Sequence, residues 1–228
     1  MATTAPEQTR QLTPEHRFLL SNIVWEGYET MLRLVGNQRI RMTYDRGDLE
    51  LMSPSREHDE FGNLLGRIVE TVTEELRIPC RAAGSTTWRK KARDRGLEAD
   101  ECYYLASFPQ VRGRRGNVDL AAEPLPDLAI EVEISRSALD RMGIYAALCV
   151  PEVWRFDGKS LRIAQLQADG TYVEVGISPS LPFLFPHEIV RWVHLAGEIE
   201  DHSEWGRLFR EWVRNELAPR REGIEPAG

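Results

Sequence analysis

Hydrophobic positions along the chain repeat with two periods, and each change of period marks an element. Trp25, Tyr28, Leu32 and Val35 fall at helical spacing ahead of Gly36-Asn37, which predicts a short amphipathic helix. Arg39 to Tyr44 and Leu49 to Met52 alternate on either side of Asp45-Arg46-Gly47-Asp48, the pattern of a hairpin. Phe61, Leu64, Leu65, Ile68, Val69, Val72 and Leu76 then step by three and four between a Ser55 N-cap and Pro79, predicting a long helix with one buried face. Glu57 and His58 lie one turn before Phe61. They are either solvated first-turn residues or members of a site that the helix start abuts.

Further on, 86–91 and 97–105 read as strands joined by Ala92 to Gly96, with Glu98, Asp100, Cys102 and Tyr104 on one face of the second. The stretch 126–134 alternates most clearly. Asp127, Ala129, Glu131 and Glu133 share one face, and Leu128, Ile130, Val132 and Ile134 share the other. This strand is expected at the centre of a mixed sheet, its apolar face against the helix over 56–77. A helix through Leu139, Met142, Ile144, Tyr145 and Leu148 follows, then strands over 153–156, 161–167 and 172–175. Beyond a proline-rich connector come two helices, one through Ile189, Val190 and Val193 and one through Trp205, Leu208, Phe209, Trp212 and Val213. The order predicts an α/β fold: a mixed sheet flanked by helices, with added hairpins and C-terminal helices. Residues 1–15 read as a flexible tail, 16–185 as the domain and 186–228 as a C-terminal helical extension.

Composition changes this picture little. A chain of 228 residues with 42% hydrophobic and 29% charged residues suits one globular domain. The net charge of −7 argues against a surface that grips nucleic acid everywhere, but leaves room for a local basic groove. Positive charge is concentrated in Arg89, Lys90, Lys91, Arg93 and Arg95 and in Arg112 to Arg115. Cys80, Cys102 and Cys149 form no C-x-x-C pair, which points to a reducing compartment. The start shows no basic region followed by an apolar run, and no long apolar stretch occurs later, so a cytoplasmic protein without membrane segments is expected. Trp205 and Trp212 share a helical face, which suggests a two-fold homodimer.

Candidate chemistry centres on the acids. Carboxylates at i and i+2 of a strand have Cα atoms roughly 7 Å apart, close enough for Glu131 and Glu133 to lean onto one cation. The same pattern also fits a solvated face whose acids blunt a sheet edge. The blocks Leu49 to His58, Glu98 to Tyr104, Pro126 to Val132, and Leu139-Asp140-Arg141 with Tyr145 to Leu148 and Val150 to Trp154 resemble the Uma-type restriction-endonuclease-like proteins of the PD-(D/E)XK superfamily. The resemblance spans residues 20–185. It implies a Mg²⁺ or Mn²⁺ ion held by Asp100, Glu131 and the Val132 carbonyl, with Glu57 of the first core helix joining the site. Glu133 stands where the motif has lysine, a role that Arg141 on the following helix would take over, and Ala99 replaces the motif's proline. The function implied is Mg²⁺-dependent endonucleolytic cleavage of DNA, with Arg89, Lys90, Lys91 and Arg112 to Arg115 neutralising phosphates. The alternative is a catalytically inactive binding module with the same fold, favoured by Glu133 and the net negative charge.

Overall fold

The computed structural model describes residues 12–36, 38–84, 87–113 and 124–223. The strands are β1 (His16–Leu20), β2 (Arg41–Asp45), β3 (Asp48–Ser53), β4 (Arg81–Ala82), β5 (Thr87–Lys90), β6 (Arg95–Glu98), β7 (Glu101–Tyr104), β8 (Leu128–Val132), β9 (Glu152–Phe156), β10 (Leu161–Leu166) and β11 (Tyr172–Val175). The helices are α1 (Trp25–Val35), α2 (Arg56–Glu75), α3 (Phe108–Val111), α4 (Arg141–Leu148), α5 (Pro186–Ile199), α6 (His202–Trp212) and α7 (Ala218–Glu222). One sheet has the order β1-β3-β2-β6-β5 and the other β11-β10-β9-β8-β7-β4. The second is mixed: β8 runs antiparallel to β7 and parallel to β9, the latter pairing joined through α4.

The acidic strand is central, as expected, but it is not half-exposed. All five residues of β8 are buried. Leu128, Ile130 and Val132 pack against Leu64, Leu65, Ile68 and Val69 of α2, while Ala129 packs on the other face with Ile144 and Tyr145 of α4 and with Trp88 and Leu97 of the first sheet. Glu131 is only 6% exposed. A covered sheet face, and not a wet one, therefore receives the acids.

The stretch 97–105 is not one strand. It breaks at Ala99-Asp100 into β6 of one sheet and β7 of the other, so the chain passes between sheets there. The break is hydrogen-bonded. The Asp100 N–H donates to the Ile130 carbonyl at 3.1 Å, and Asp100 Oδ2 accepts from the Val132 N–H at 2.6 Å. The side chain thus takes the place of the backbone acceptor that β7 would have supplied had it continued.

Two further expectations change. The tail does not reach residue 15, because Glu15 is 7% exposed and leads directly into β1, a strand that the sequence did not signal. The aromatic face of the last helices is turned inward: Trp205 is fully buried, stacks on Phe209 and donates its indole N–H to the Trp192 carbonyl at 2.8 Å. That face serves this chain's own core, which removes the reason for assigning it to a second copy. After α6 the helix widens into a π-helical turn, Val213–Leu217, before α7. Pro219, which brings no N–H and crowds the preceding turn, accounts for the widening.

Helix α2 approaches β7 closely through two glycines. A Cβ at Gly62 would lie 3.9 Å from that of Asp100, an ordinary contact, whereas one at Gly66 would lie 2.9 Å from the Tyr103 hydroxyl and 3.3 Å from Glu101 Cγ. Tyr103 is fully buried and cannot yield. Gly62→Ala should therefore be neutral or stabilising by up to about 1 kcal/mol through helix propensity. Gly66→Ala should cost about 1–3 kcal/mol through overpacking. Urea unfolding of the two variants checks both; equal effects would mean that the helix–strand spacing is not set here.

Candidate active site

The break at Asp100 brings four elements together. From α2, His58 Nε2 lies 2.8 Å from Asp100 Oδ1, and its Nδ1 lies 2.9 Å from Glu15 Oε1. From β2, Arg41 Nε lies 3.1 Å from Asp100 Oδ1, and its Nη1 donates to Glu98 Oε1 at 3.1 Å. Beside it, on β8, Glu131 Oε1 accepts from Arg141 Nη2 at 2.5 Å and from the Tyr145 hydroxyl, both on α4. Arg141 also donates to the Glu98 carbonyl at 3.0 Å and to Thr43. Glu15 accepts from the N–H groups of Ile134 at 3.2 Å and Ser135 at 2.7 Å, which fixes the chain as it leaves β8. Acids and cations alternate through a volume from which water is largely excluded.

Burial disfavours every charge here, so the pairings decide which survive. Burial works against the His58 imidazolium, but hydrogen bonds to Asp100 and Glu15 outweigh it and hold its pKa up at about 9. Burial likewise works against Glu15, yet His58 and Ser135 bring it down to about 2. Asp100 is lowered despite its burial, chiefly through His58. Glu131 is raised because its burial outweighs Arg141 and Tyr145, with the Asp100 charge adding to the rise. Nearby, burial and the charges of Glu70 and Asp100 push Glu101 up to about 7.

Of the residues singled out from the sequence, the structure brings Asp100, Glu131, Val132 and Arg141 together. It does not bring in Glu57 or Glu133. Glu57 points off the outer side of α2, where its carboxylate accepts from the Thr13 hydroxyl at 3.1 Å. The neighbouring His58 takes the inward position. Helical geometry explains this: Gly62, four residues after His58, lies on the face nearest the sheet, while Phe61, four after Glu57, lies at its margin. Glu133 is drawn to Arg155 on β9, at 2.5 Å. Glu15, Arg41 and Tyr145 were not singled out. Tyr145 stands in the hydrophobic stripe that predicts α4 and in one of the blocks that carry the resemblance, but neither marks its hydroxyl; nothing in the local sequence marks Glu15 or Arg41. Of the two basic runs, Arg112 to Arg115 is described only at Arg112 and Gly113, and Arg114 and Arg115 lie outside the described residues. In the other, Lys91 pairs with Glu26 at 2.8 Å and Arg95 with Asp45 at 2.8 Å, away from Asp100.

Among the described residues no three or more His, Cys, Asp or Glu side chains are grouped as a metal-binding set. Two carboxylates with hard oxygen donors nonetheless fit Mg²⁺, which is commonly held by one or two carboxylates and keeps several waters. Val132 turns its amide edge toward Asp100. That is also the side on which its carbonyl would have to serve.

A family model described as "Uma2: Putative restriction endonuclease" matches residues 25–196. The chain belongs to the Uma2 family. The match runs from the start of α1 into α5, and so contains Asp100, Glu131 and Arg141 but not Glu15. Among solved structures, the chain is similar to a crystal structure described as a putative nuclease belonging to DUF820 from Anabaena variabilis. The identity is 14% and the TM-score 0.46, over 67% of this chain and 90% of that one. No curated protein matches the sequence. Among the described residues no helix is long and apolar enough to cross a membrane.

The His58 cluster makes a pH prediction. A histidine raised from 6.5 to about 9 stabilises the fold fully below pH 6.5 and loses that contribution as pH rises through 9. On the acid side, the contribution of Glu15 is lost as pH falls from 4.5 toward 2. The stability difference between wild type and His58→Gln should thus be greatest near pH 5–6 and shrink on the order of 3 kcal/mol by pH 9 or above. Denaturant unfolding across that range measures it. A difference independent of pH would mean that the imidazole is neutral throughout.

Proposed function

We propose that this Uma2-family chain is a Mg²⁺-dependent endonuclease that hydrolyses phosphodiester bonds in DNA. The observation that carries the reading is that Asp100, from the inter-sheet break, and Glu131, from the central strand, are both buried and close enough for the charge of one to act on the other, with Asp100 bound to the Val132 amide edge. A divalent ion held by Asp100, Glu131 and the Val132 carbonyl would supply charge neutralisation for the phosphate and a water of lowered pKa. His58 and Arg41 orient Asp100. Arg141 and Tyr145 orient Glu131 and offset its charge, and Arg141, protonated at all working pH values, acts as a fixed cation and not as a proton carrier. These residues come from one chain, so the chemistry does not depend on a homodimer. Free thiols at Cys80, Cys102 and Cys149 suit the cytoplasm.

A second reading, a nuclease-fold module that binds without cutting, draws on a specific observation: Glu133, at the position of the motif's lysine, is engaged by Arg155. Neither carboxylate of the site is free of a cation of the chain itself.

Plasmid cleavage with Mg²⁺ or Mn²⁺ separates the two. Wild type should cut, and Asp100→Asn and Glu131→Gln should each lose on the order of 10²-fold or more in rate. In thermal melts, Mg²⁺ at 100 times its Kd should stabilise wild type by about 2.7 kcal/mol and leave Glu131→Gln unmoved. A Mg²⁺ shift without cleavage of any DNA selects the binding module. If neither Mg²⁺ nor Mn²⁺ at millimolar concentration moves the wild-type melt, the metal reading fails.

A further inference from the structure

A cavity of about 730 Å³ opens beside the site, and its wall carries Arg17, Glu133, Arg136, Arg141 and Arg155. A narrower crevice lined by Glu131 and Val132 shares Arg17, Glu133, Arg141 and Arg155 with it, so the cavity leads down to Glu131. Its arginines are not equivalent. Arg141 is engaged by Thr43, the Glu98 carbonyl and Glu131. Arg17 is engaged by Glu50 at 2.7 Å and Ser135 at 3.1 Å, and is 13% exposed. Arg155 is 33% exposed and, among the described residues, has one side-chain partner, Glu133. Arg136 is exposed, and among the described residues nothing engages it.

Arg155 is also well placed. It is the register partner of Glu131 across the parallel β8–β9 pair, so the two side chains project from the same face of the sheet. Glu133, two residues on, projects from that face as well and reaches across to it. The positive charge missing at position 133 therefore stands one strand over, at 155.

We infer that Arg155 and Arg136 hold phosphates of the DNA strand on either side of the one presented to Asp100 and Glu131, and that Glu133 keeps Arg155 in place until the strand arrives. This rests on the reading of the site as one that acts on nucleic acid, and it puts Arg136 and Arg155 in place of Arg89, Lys90 and Lys91 as the source of phosphate contacts. Phosphate takes over from Glu133 as the acceptor of the Arg155 guanidinium, whose planar fork suits either anion. Arg136 needs no such exchange.

Binding of a labelled 20-base-pair duplex, followed by fluorescence anisotropy without divalent ions across a range of salt, tests this. Arg136→Ala/Arg155→Ala should weaken binding at low salt and flatten the slope of log K against log salt by about 0.9 for each lost phosphate contact. Lys90→Ala/Lys91→Ala, the rival assignment, should change the slope by less than half as much. Glu133→Gln should tighten binding, and most of that gain should vanish in an Arg155→Ala background. Thermal melts confirm that each variant is folded. Wild-type binding that is unchanged in Arg136→Ala/Arg155→Ala, or a Glu133→Gln gain that persists without Arg155, overturns the inference and leaves the nuclease reading standing. Absence of wild-type binding to duplex and to single strand overturns both.

Discussion

Asp100 is a buried carboxylate at the point where the chain leaves one sheet for the other, and its Oδ2 closes the β7–β8 ladder by accepting from Val132. An ionised carboxylate removed from water costs several kcal/mol, and only close partners offset that cost. His58, Arg41 and the Val132 N–H are those partners. Removing one member of such a buried set typically costs 3–5 kcal/mol, because the survivors are left unpaired. The junction of the two sheets, the packing of the α2 start and the position of β2 thus depend on the same few hydrogen bonds and ion pairs that define the site.

The charges around Asp100 come close to balance without any added ion. Glu15, Asp100 and Glu131 face Arg41, His58 and Arg141. Apolar residues of similar volume would stabilise a protein at least as well as this cluster does, so stability alone does not account for it, and perturbed acids in a cleft are the usual mark of a functional site. The balance also sets a condition on chemistry. A divalent ion held by Asp100 and Glu131, as proposed, would have to compete with the cations already beside them, and its affinity would reflect the difference between two sets of interactions. Glu101, pushed up to about 7 by its burial and then by the charges of Glu70 and Asp100, lies where further negative charge is already disfavoured.

The elements with a clean period were legible in the sequence: α1, the β2–β3 hairpin, α2 with its Ser55 cap, and β8 to β11 fall where hydrophobic spacing and turn residues place them. The resemblance singled out Asp100, Glu131 and Arg141, which the structure brings together. Where the structure departs from the sequence pattern, the deciding term is tertiary. No alternation can reveal that 97–105 divides between two sheets, because Asp100 keeps its strand-like place in the pattern while its side chain replaces a backbone acceptor. The choice of Glu57 over His58 turned on a rotation of about 100° about the helix axis. Gly62 and Gly66, which mark the face pressed to the sheet, carried the signal that would have settled it. Arg41 sits in an ordinary alternating strand, and Glu15 borders a polar stretch, so nothing local distinguishes either from a solvated charge.

Glu15 shows how far the site extends. It lies ten residues before the start of the family-model match, yet it meets His58 on one side and the amides of Ile134 and Ser135 on the other. From β3, Glu50 answers it by accepting from Arg17, the Ser137 hydroxyl and the Ala138 N–H. Two buried carboxylates thereby hold the segment 134–138 from both ends, and that segment carries Arg136 into the cavity wall. Strand β1, which brings Arg17 and follows Glu15, is barely buried, with Phe18 67% and Leu19 48% exposed. Its attachment consists of the ladder to β3 and these ionic hydrogen bonds, with little apolar contact. Apolar packing is indifferent to pH and weakly affected by ordinary salt, whereas ion pairs respond to both. The wall of the cavity is therefore held by contacts that respond to pH and salt, and it is joined through Glu15 and His58 to the carboxylate on which the two sheets meet.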